Sequence, residues 1–371
     1  MKTRTVYEAK RRRAVLVASL GAVLLSAPIA AGAADQYAFD PAAFDIAAAP
    51  DGSILVTGND TISAIRNGVI RQVAEVPVPV TDPPSTLNGL AAIGSGNYFA
   101  TTGGGDLAQG AKLWRVSPGN ARMVADIGGF ETAHDPDAAG GLQWKDSRCE
   151  AVDPFSAGPQ SNPYHLTAPS GGEALVADAA GNTLLSVRTN GKVDWVAVFT
   201  PPAADASGST DPADWLVLFT LDDGTDCYVQ PVPTSVAVGP DGAYYVGELT
   251  GVPAVPGWSR VWRIDPGARN VVCPSAACTV VVDGLTSVID VDFGPDGQLY
   301  VAEYHADGWL AAFGPDPANG TVKRCDVATG QCTLVAEDLL LPSALTFDKW
   351  GALWLLENNI FAPTVRKLAL P

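Results

Sequence analysis

Few residues of this chain are basic. It contains 23 Lys and Arg against 40 Asp and Glu, which gives a formal net charge of −17 over 371 residues. Such a chain would repel nucleic-acid phosphates and anionic membrane surfaces rather than neutralise them. We therefore expect no nucleic-acid partner and no membrane association, whereas cation binding is compatible with this charge.

The chain also lacks the familiar catalytic and cofactor motifs. It has no G-x-S-x-G elbow, no H-E-x-x-H zinc helix and no G-x-G-x-x-G before a helix. The glycine-rich "TTGGGD" (101–106) lacks the Lys-Ser/Thr of a phosphate loop and is interpreted as a turn. No C-x-x-C pair occurs, which argues against a zinc knuckle and against a thioredoxin-type redox site.

The first 33 residues have the pattern of a secretory signal peptide. Lys and Arg are frequent before residue 14, residues 14–25 are almost wholly apolar, and residues 31–33 read Ala-Gly-Ala. The apolar part is too short for a spanning helix, so we expect cleavage and a secreted or periplasmic protein, with an uncleaved anchor as the alternative. Residues 34–371 are expected to form a single domain.

All six cysteines follow this leader, and an even count in an exported chain predicts disulfides. The predicted pairs are Cys273–Cys278, Cys325–Cys332 and Cys149–Cys227. The first two spacings suit short loops or hairpins, whereas the third pair would close a long loop.

A block of ten residues built around a glycine turn recurs six times. The copies are "APDGSILVTG" (49–58), "IGSGNYFATT" (93–102), "PSGGEALVAD" (169–178), "GPDGAYYVGE" (239–248), "GPDGQLYVAE" (294–303) and "DKWGALWLLE" (348–357). The Asp-Gly turn or its equivalent requires a positive φ, which glycine adopts freely. The flanking runs are rich in Val, Ile, Tyr, Trp and Leu, as β-strands are.

No sustained 3.6-residue periodicity follows the leader, so helices are not expected to build the fold. Each repeat is predicted to be an antiparallel sheet of about four strands, which cannot bury both faces alone. Six such sheets stacked around an axis form an all-β, six-bladed β-propeller.

Two stretches rich in Gly, Pro, Asp and Ser interrupt the repeat, at 128–160 and 201–230. Each connects the outer strand of one blade with the inner strand of the next, and such connections share one face of a propeller. We expect ordered loops or lids there. A Cys149–Cys227 disulfide would link them over that face, with a stabilisation of about 4 kcal/mol in a chain-entropy model.

The repeat also brings polar residues to equivalent positions on the insertion-bearing face. Three of them, Asp45, Asn88 and Asp290, precede inner strands of different blades. Carboxylate and amide oxygens suit a hard cation, so this set predicts a site for Ca²⁺, another divalent cation or a polar ligand. Carboxylates held close together also raise one another's pKa, as acid–base sites exploit.

Further ligand-binding candidates occupy two sets of equivalent positions in the repeat. One set precedes the first strands of the blades, and the other ends the second strands. Together with Asn88 they are Tyr164, His165, Ser235, Asp178, Glu248, Glu303 and Glu357. The last four end the second strand of consecutive blades, and a carboxylate there also has a purely structural interpretation, because it accepts backbone N–H bonds from the next loop. His165 alone is interpreted as a packed rather than a catalytic residue, and His134 and His305 as loop residues.

Four segments of the chain resemble the ScyD/ScyE family of exported propellers. They are "SNPYHLTA" (161–168), "LVADAAGNTLLSV" (175–187), "PTSVAVGPDGAYYVGELTG" (233–251) and "VIDVDFGPDGQLYVAE" (288–303). The resemblance implies a six-bladed, NHL- and TolB-like propeller exported across the inner membrane, and it supplies no general activity. In the family pattern Gly usually follows the segment that matches 161–164, whereas this chain has His165, and the cysteines look like additions of this chain.

A weaker likeness is to the SMP-30/gluconolactonase propellers. "LNGL" (87–90) resembles the Asn-Gly opening of one of their metal-bearing strands, and Asp45 and Asp290 are candidate counterparts of two other ligands. A channel Glu before a first strand is missing.

Three functions therefore stay open. The leading hypothesis is an exported, monomeric propeller that binds a small molecule or protein partner at the lidded channel mouth. The second is a metal-dependent lactonase or esterase, in which a channel cation polarises a carbonyl and a carboxylate or His165 moves the proton. The third is a purely structural interaction domain, since propellers host many functions.

Overall fold

The chain folds as the predicted six-bladed β-propeller. The structure is a computed structural model that describes residues 36–104, 107–138, 146, 148–149, 158–203 and 211–370. These residues belong to one compact unit. The predicted signal peptide lies outside the described residues, as do parts of both insertions.

The strands are numbered in chain order. Up to the first insertion they are β1 (Gln36–Ala38), β2 (Ile46–Ala48), β3 (Ile54–Thr57), β4 (Thr61–Arg66), β5 (Val69–Glu75), β6 (Ser85–Gly94), β7 (Asn97–Gly104), β8 (Lys112–Ser117) and β9 (Asn120–Asp126). Between and within the insertions they are β10 (Pro163–Ser170), β11 (Glu173–Asp178), β12 (Thr183–Arg188), β13 (Val193–Phe199), β14 (Val217–Thr220) and β15 (Asp226–Tyr228).

The remaining strands complete the propeller. They are β16 (Pro233–Val238), β17 (Tyr244–Glu248), β18 (Ser259–Ile264), β19 (Val271–Cys273), β20 (Cys278–Leu285), β21 (Val288–Phe293), β22 (Leu299–Glu303), β23 (Gly320–Asp326), β24 (Gln331–Leu339), β25 (Pro342–Phe347), β26 (Leu353–Glu357) and β27 (Thr364–Leu368). Short helices lie at α1 (Leu107–Gly110) and α2 (Ile127–His134), with 3₁₀ turns at Pro212–Asp214 and Trp309–Phe313.

Each blade is a four-stranded antiparallel sheet with neighbours in sequence order. Blades 1 to 3 are β2–β5, β6–β9 and β10–β13; blade 4 is β16, β17, β18 and β20; blade 5 is β21–β24. Blade 6 consists of β25–β27, and the N-terminal strand β1 adds to β27 as its outermost strand. The two ends of the described chain therefore close the ring within one sheet.

The Asp-Gly turns join the first two strands of a blade as predicted. Gly52, Gly242, Gly297 and Gly351 have φ between 74° and 90°. The preceding acidic side chain accepts a backbone N–H two residues on, as Asp241 does from Ala243 at 3.1 Å. An Asp-Gly pair therefore supplies both the side-chain acceptor and the positive φ that the turn requires.

Six apolar clusters hold the blades together, one between each pair of neighbours. The second strand of a blade lies between its neighbours' side chains, so β3, β22 and β26 are buried along their whole length. The fourth strands are less buried, and β5 and β24 are mostly exposed. This gradient explains why Val, Leu and Ile concentrate just after each turn.

Several elements go beyond the predicted repeat. A fifth strand, β19, pairs in parallel with β13 at the outer edge of blade 3, and β14 and β15 form a separate hairpin within the second insertion. Helix α2 opens the first insertion, with Asp126 capping it through Gly129 N. Among the described residues, no helix is long and apolar enough to cross a membrane.

The three predicted disulfides are confirmed. Cys149 and Cys227 lie one in each insertion, with their Cα atoms 5.7 Å apart across a sequence separation of 78 residues. The two insertions are therefore tied to each other as expected.

Candidate functional site

One position in the first strand of each blade, or directly before it, lines the centre of the propeller. In blades 2 to 6 the pairing of the first two strands shifts register just before this position, as between Pro163 and His165. Such an irregularity turns a side chain that would otherwise follow the pleat. The ring of equivalent residues is Asp45, Gly89, His165, Ser235, Asp290 and Ala344. Large polar residues thus alternate with small ones.

Each of the three large side chains bonds to the next blade. Leu90 N donates to Asp45 Oδ2 at 2.7 Å, and Leu345 N donates to Asp290 Oδ2 at 2.7 Å. Val236 N donates to His165 Nδ1 at 3.3 Å. The first strands are therefore linked in pairs, blade 1 to 2, blade 3 to 4 and blade 5 to 6.

The other polar atoms of these side chains converge on one point. His165 Nε2 lies 3.7 Å from Asp45 Oδ1 and 3.6 Å from Asp290 Oδ1. All three atoms lie within 4.8 Å of one another. Asp45 and Asp290 are buried, whereas the His165 side chain retains 15% exposure. We call this group the channel triad.

Burial opposes charge on every member of the triad. It raises the pKa of Asp45 well above its usual range, with a further increase from Asp290, and it likewise raises the pKa of Asp290. It lowers the pKa of His165 to about 4. A carboxylate with a raised pKa beside a neutral imidazole is able to accept a proton from a bound hydroxyl group.

Aromatic residues cover the triad on the insertion-bearing face. Phe44 and Tyr164, which directly precede Asp45 and His165, pack edge to face with ring centroids 6.4 Å apart. Burial raises the pKa of Tyr164, and Tyr304, Asp45 and Asp290 raise it further. Tyr164 is thus part of this cover and keeps its phenol group protonated.

Towards the opposite face a cavity of about 230 Å³ follows the first strands. It begins at His165 and is lined mainly by the strand segments that follow the ring positions. Asp292 stands in its wall, and burial raises the pKa of Asp292 to about 6. Of the triad, His165 is the residue that lines this cavity, so the channel meets the triad at the His165 ring.

Asn88 does not join the two aspartates as the sequence predicted. Its Nδ2 donates to Asn162 Oδ1 at 2.9 Å and to Pro163 O at 3.2 Å, and its Oδ1 accepts from Thr86 Oγ1. The ring position in blade 2 is the next residue, Gly89. A shift by one residue in a strand turns the side chain to the other face, which explains the difference.

The acidic residues that end second strands are bound within the protein. Asp178 accepts from Ser161 Oγ, Asn162 N and Gly181 N. Glu248 pairs with Arg260 at 2.9 Å and accepts from Trp262 Nε1.

Glu303 and Glu357 follow the same pattern. Glu303 accepts from Thr286 N and pairs with Lys323 at 2.7 Å. Glu357 accepts from Leu340 N and pairs with Arg366 at 2.5 Å. Three of the four carboxylates thus accept a backbone N–H from the segment that enters their own blade, and Asp178 also accepts from the following loop through Gly181 N.

Ser235 occupies the ring position of blade 4. Its Oγ is buried and has no hydrogen-bond partner among the described residues. Gly247 stands opposite it, where a Cβ atom would lie 2.6 Å from that Oγ. Ser235 therefore fits only because the facing residue is glycine.

A divalent metal fits the triad in spacing but not in hydrogen bonding. Donor atoms 3.6–3.7 Å apart would surround an ion held at ~2.1 Å from each. A histidine that binds a metal through Nε2 normally donates its Nδ1–H to an acceptor. His165 Nδ1 instead accepts from Val236 N, so the proton of the neutral ring is on Nε2.

A second cavity, of about 410 Å³, lies on the insertion-bearing face. Its apolar wall includes Val232, Leu249, Val252 and Trp309. The indole of Trp309 is fixed by a bond from Nε1 to Thr250 O at 3.2 Å. We call this cavity the insertion-face pocket.

Amide side chains complete the insertion-face pocket. Gln160 and Gln230, the last residues of the two predicted insertions, both line it, as does Asn162. Asn162 is the residue that accepts from Asn88. Trp309 and Asn162 were not among the site residues predicted from the sequence, and neither was Asp292, which lies only two residues after Asp290.

Comparison with known proteins identifies the fold and no family. No protein-family model and no curated protein sequence matches the chain. A putative oxidoreductase (glucose dehydrogenase) from Thermus thermophilus has a similar structure, with a TM-score of 0.51 at 14% identity over 88% of this chain and 97% of that one.

Two further solved structures share the architecture. A gluconolactonase from Xanthomonas campestris superposes with a TM-score of 0.51 at 12% identity, covering 90% of this chain and 88% of that one. Virginiamycin B lyase from Staphylococcus aureus gives a TM-score of 0.48 at 15% identity, over 90% and 87% of the two chains. At such identities the likeness concerns the fold alone.

Proposed function

We propose that this protein is an exported binding protein whose ligand is a neutral small molecule held in the insertion-face pocket. The observation that carries this proposal is the position of the pocket where both insertions return to the propeller. Gln160 and Gln230 stand in its wall, and the Cys149–Cys227 disulfide ties the same insertions together. A constrained loop pair beside a cavity is a common means of enclosing a ligand.

The lining of the pocket indicates the kind of ligand. Its volume lies within the usual range of small-molecule sites, which combine apolar walls with a few polar groups. Among the described lining residues none carries a charge, so an ionic ligand would lack a counter-charge there. A neutral molecule with an apolar surface for Trp309 and hydrogen-bonding groups for Asn162 matches this chemistry.

Export and the ScyD/ScyE assignment belong to the same proposal. The leader pattern of residues 1–33 motivates export, and three formed disulfides support an oxidising compartment. The ScyD/ScyE likeness stays a prediction that rests on the four segments named above. A structural interaction domain, in contrast, would have no use for the insertion-face pocket.

The binding proposal is tested by a thermal-shift screen of neutral small molecules against the mature protein. At 100 times its dissociation constant, a compound that binds only the folded state stabilises it by about 2.7 kcal/mol. We expect Trp309→Ala to abolish the shift of such compounds. Trp350→Ala is the control, because Trp350 is 71% exposed on a turn of the opposite face. The proposal is contradicted if every stabilising compound acts equally on the Trp309→Ala variant and on the wild type.

A further inference from the structure

The channel triad presents a defined set of free hydrogen-bonding positions. Asp45 Oδ1 accepts from Ile46 N at 2.7 Å, and Asp290 Oδ1 accepts from Val291 N at 2.8 Å. Their Oδ2 atoms accept from Leu90 N and Leu345 N. A carboxylate oxygen has two lone-pair positions, so each Oδ1 keeps one acceptor position towards the centre.

His165 contributes a hydrogen-bond donor to this centre. Its Nδ1 accepts the N–H of Val236, which places the proton of the neutral imidazole on Nε2. Nε2 lies 3.6–3.7 Å from the two Oδ1 atoms, which is too long for a direct hydrogen bond. The triad therefore offers two acceptors and one donor to a group that lies between them and the channel.

Only some ligands match two acceptors and one donor. Water donates to both carboxylates and accepts from Nε2. An alcohol hydroxyl has one proton to donate, so it matches the triad when one of the two aspartates is protonated, which the raised pKa of both side chains favours. A metal ion would need the lone pair of Nε2, and a primary ammonium group has no acceptor for the Nε2 proton. Burial of an anion beside two aspartates is opposed by charge repulsion.

The channel gives such a ligand access. It has a volume of about 230 Å³, starts at His165 and carries one acidic side chain, Asp292, in its wall. No described Lys or Arg forms an ion pair with Asp45, Asp290 or Asp292, so the wall does not attract anions. Water and small neutral alcohols are the molecules that this size and polarity admit.

We propose that the channel triad is a hydroxyl-binding site, occupied by water or by the hydroxyl group of a small neutral alcohol, and that it does not bind a divalent metal through His165. The proposal is independent of the insertion-face pocket, whose lining contains no member of the triad.

The first test is nuclear magnetic resonance of the mature protein with ¹⁵N-labelled histidine. We expect a neutral His165 ring at pH 7 with its proton on Nε2, and no change on adding Zn²⁺, Mn²⁺ or Ca²⁺. His165→Asn assigns the signal against His134 and His305. A proton on Nδ1, or a shift of Nε2 on adding Zn²⁺, would overturn the proposal in favour of a metal site.

The second test is a high-resolution crystal structure of the same protein, grown without alcohols and then soaked in glycerol. We expect an oxygen at hydrogen-bond distance from all three triad atoms, ~2.6–3.2 Å. Its replacement by a glycerol hydroxyl identifies alcohols as ligands, and its persistence limits the site to water. A peak at ~2.1 Å with anomalous scattering, or no density at all, would contradict the proposal.

A pair of variants distinguishes the loss of the bound oxygen from the loss of the fold. Asp290→Leu keeps the branched shape of the side chain, removes its acceptors and should lose the bound oxygen, while the fold, checked by circular dichroism, is retained. Asp307→Leu is the matched control in an exposed loop, where the Asp307 carboxylate accepts from Asn319 Nδ2 and the Asp307 backbone N donates to His305 Nδ1. An oxygen that stays in place in Asp290→Leu would count against the assigned contacts.

Discussion

At the scale of single residues, His165 and Asp292 respond to pH in opposite directions. Burial lowers the pKa of His165 to about 4, so the unfolded chain binds a proton there before the folded protein does. The contribution of His165 to stability is present above pH ~6.5 and is lost as the pH falls towards 4. The pKa of Asp292 is raised to about 6, so its contribution is present below pH ~3.8 and is lost as the pH rises towards 6.

These opposing effects can be separated by mutation. We predict that the difference in free energy of unfolding between wild type and His165→Asn shrinks as the pH falls from 7 to 4, on the order of 3 kcal/mol. Urea unfolding at several pH values measures it. His134→Asn, a change at an exposed histidine, should show a difference that does not vary in this way. A constant difference for His165→Asn would refute the buried neutral state.

At the scale of strands, the ring alternates long and short side chains because neighbouring strands approach closely. A Cβ atom on Gly89 would lie 2.7 Å from Thr101 Oγ1, 2.9 Å from Leu166 Cδ2 and 3.0 Å from His165 Cα. Blade 2 therefore requires glycine at this position so that blade 3 can place His165 in the triad.

Gly89→Ala should accordingly destabilise the protein by about 2 kcal/mol, as overpacking of a tight interior does. It should also weaken the contact between Val236 N and His165 Nδ1, because the added methyl group displaces the His165 backbone. Gly171→Ala is the control, since nothing lies within 4 Å of its Cβ position. Chemical denaturation compares the two variants. Equal stabilities would show that blade 2 moves away from blade 3 far enough to accommodate the added methyl group.

The strands were largely predictable and the direction of their side chains was not. The glycine turns located the second strand of each blade, and in blades 3 to 6 a carboxylate marked the end of that strand. Both signals were readable because turn chemistry is local. The Asn88 prediction failed because a register irregularity depends on how two strands pair, which the sequence of one strand does not determine. Strand β1 was missed for a related reason. Three residues are too few to show the alternation of a strand, and β1 forms because the edge strand β27 of blade 6 is free to pair with it.

At the scale of the whole molecule, the disulfides differ in what they constrain. Cys149–Cys227 closes a separation of 78 residues, whereas Cys325–Cys332 closes 7 residues across one hairpin. In the chain-entropy model the longer loop contributes about 4 kcal/mol and the shorter about 2.5 kcal/mol.

Replacing both Cys149 and Cys227 by Ala should therefore lower the free energy of unfolding more than replacing both Cys325 and Cys332. The first variant should in addition weaken ligands of the insertion-face pocket, because Gln160 and Gln230 lose their constraint. Denaturant unfolding and thermal shifts with the screened compounds measure the two effects. A larger stability loss in the second variant would mean that blade 5 depends on its disulfide for packing.

We expect the insertion-bearing face, and not the channel, to receive the ligand that defines the function. Fluorine magnetic resonance of protein labelled with 5-fluorotryptophan measures where a ligand binds, with Trp309→Phe and Trp350→Phe assigning two signals. On titration with compounds from the neutral screen, we predict that the Trp309 signal moves while the Trp350 signal stays unchanged. If all compounds that stabilise the protein leave the Trp309 signal in place, the insertion-face pocket is not the ligand site.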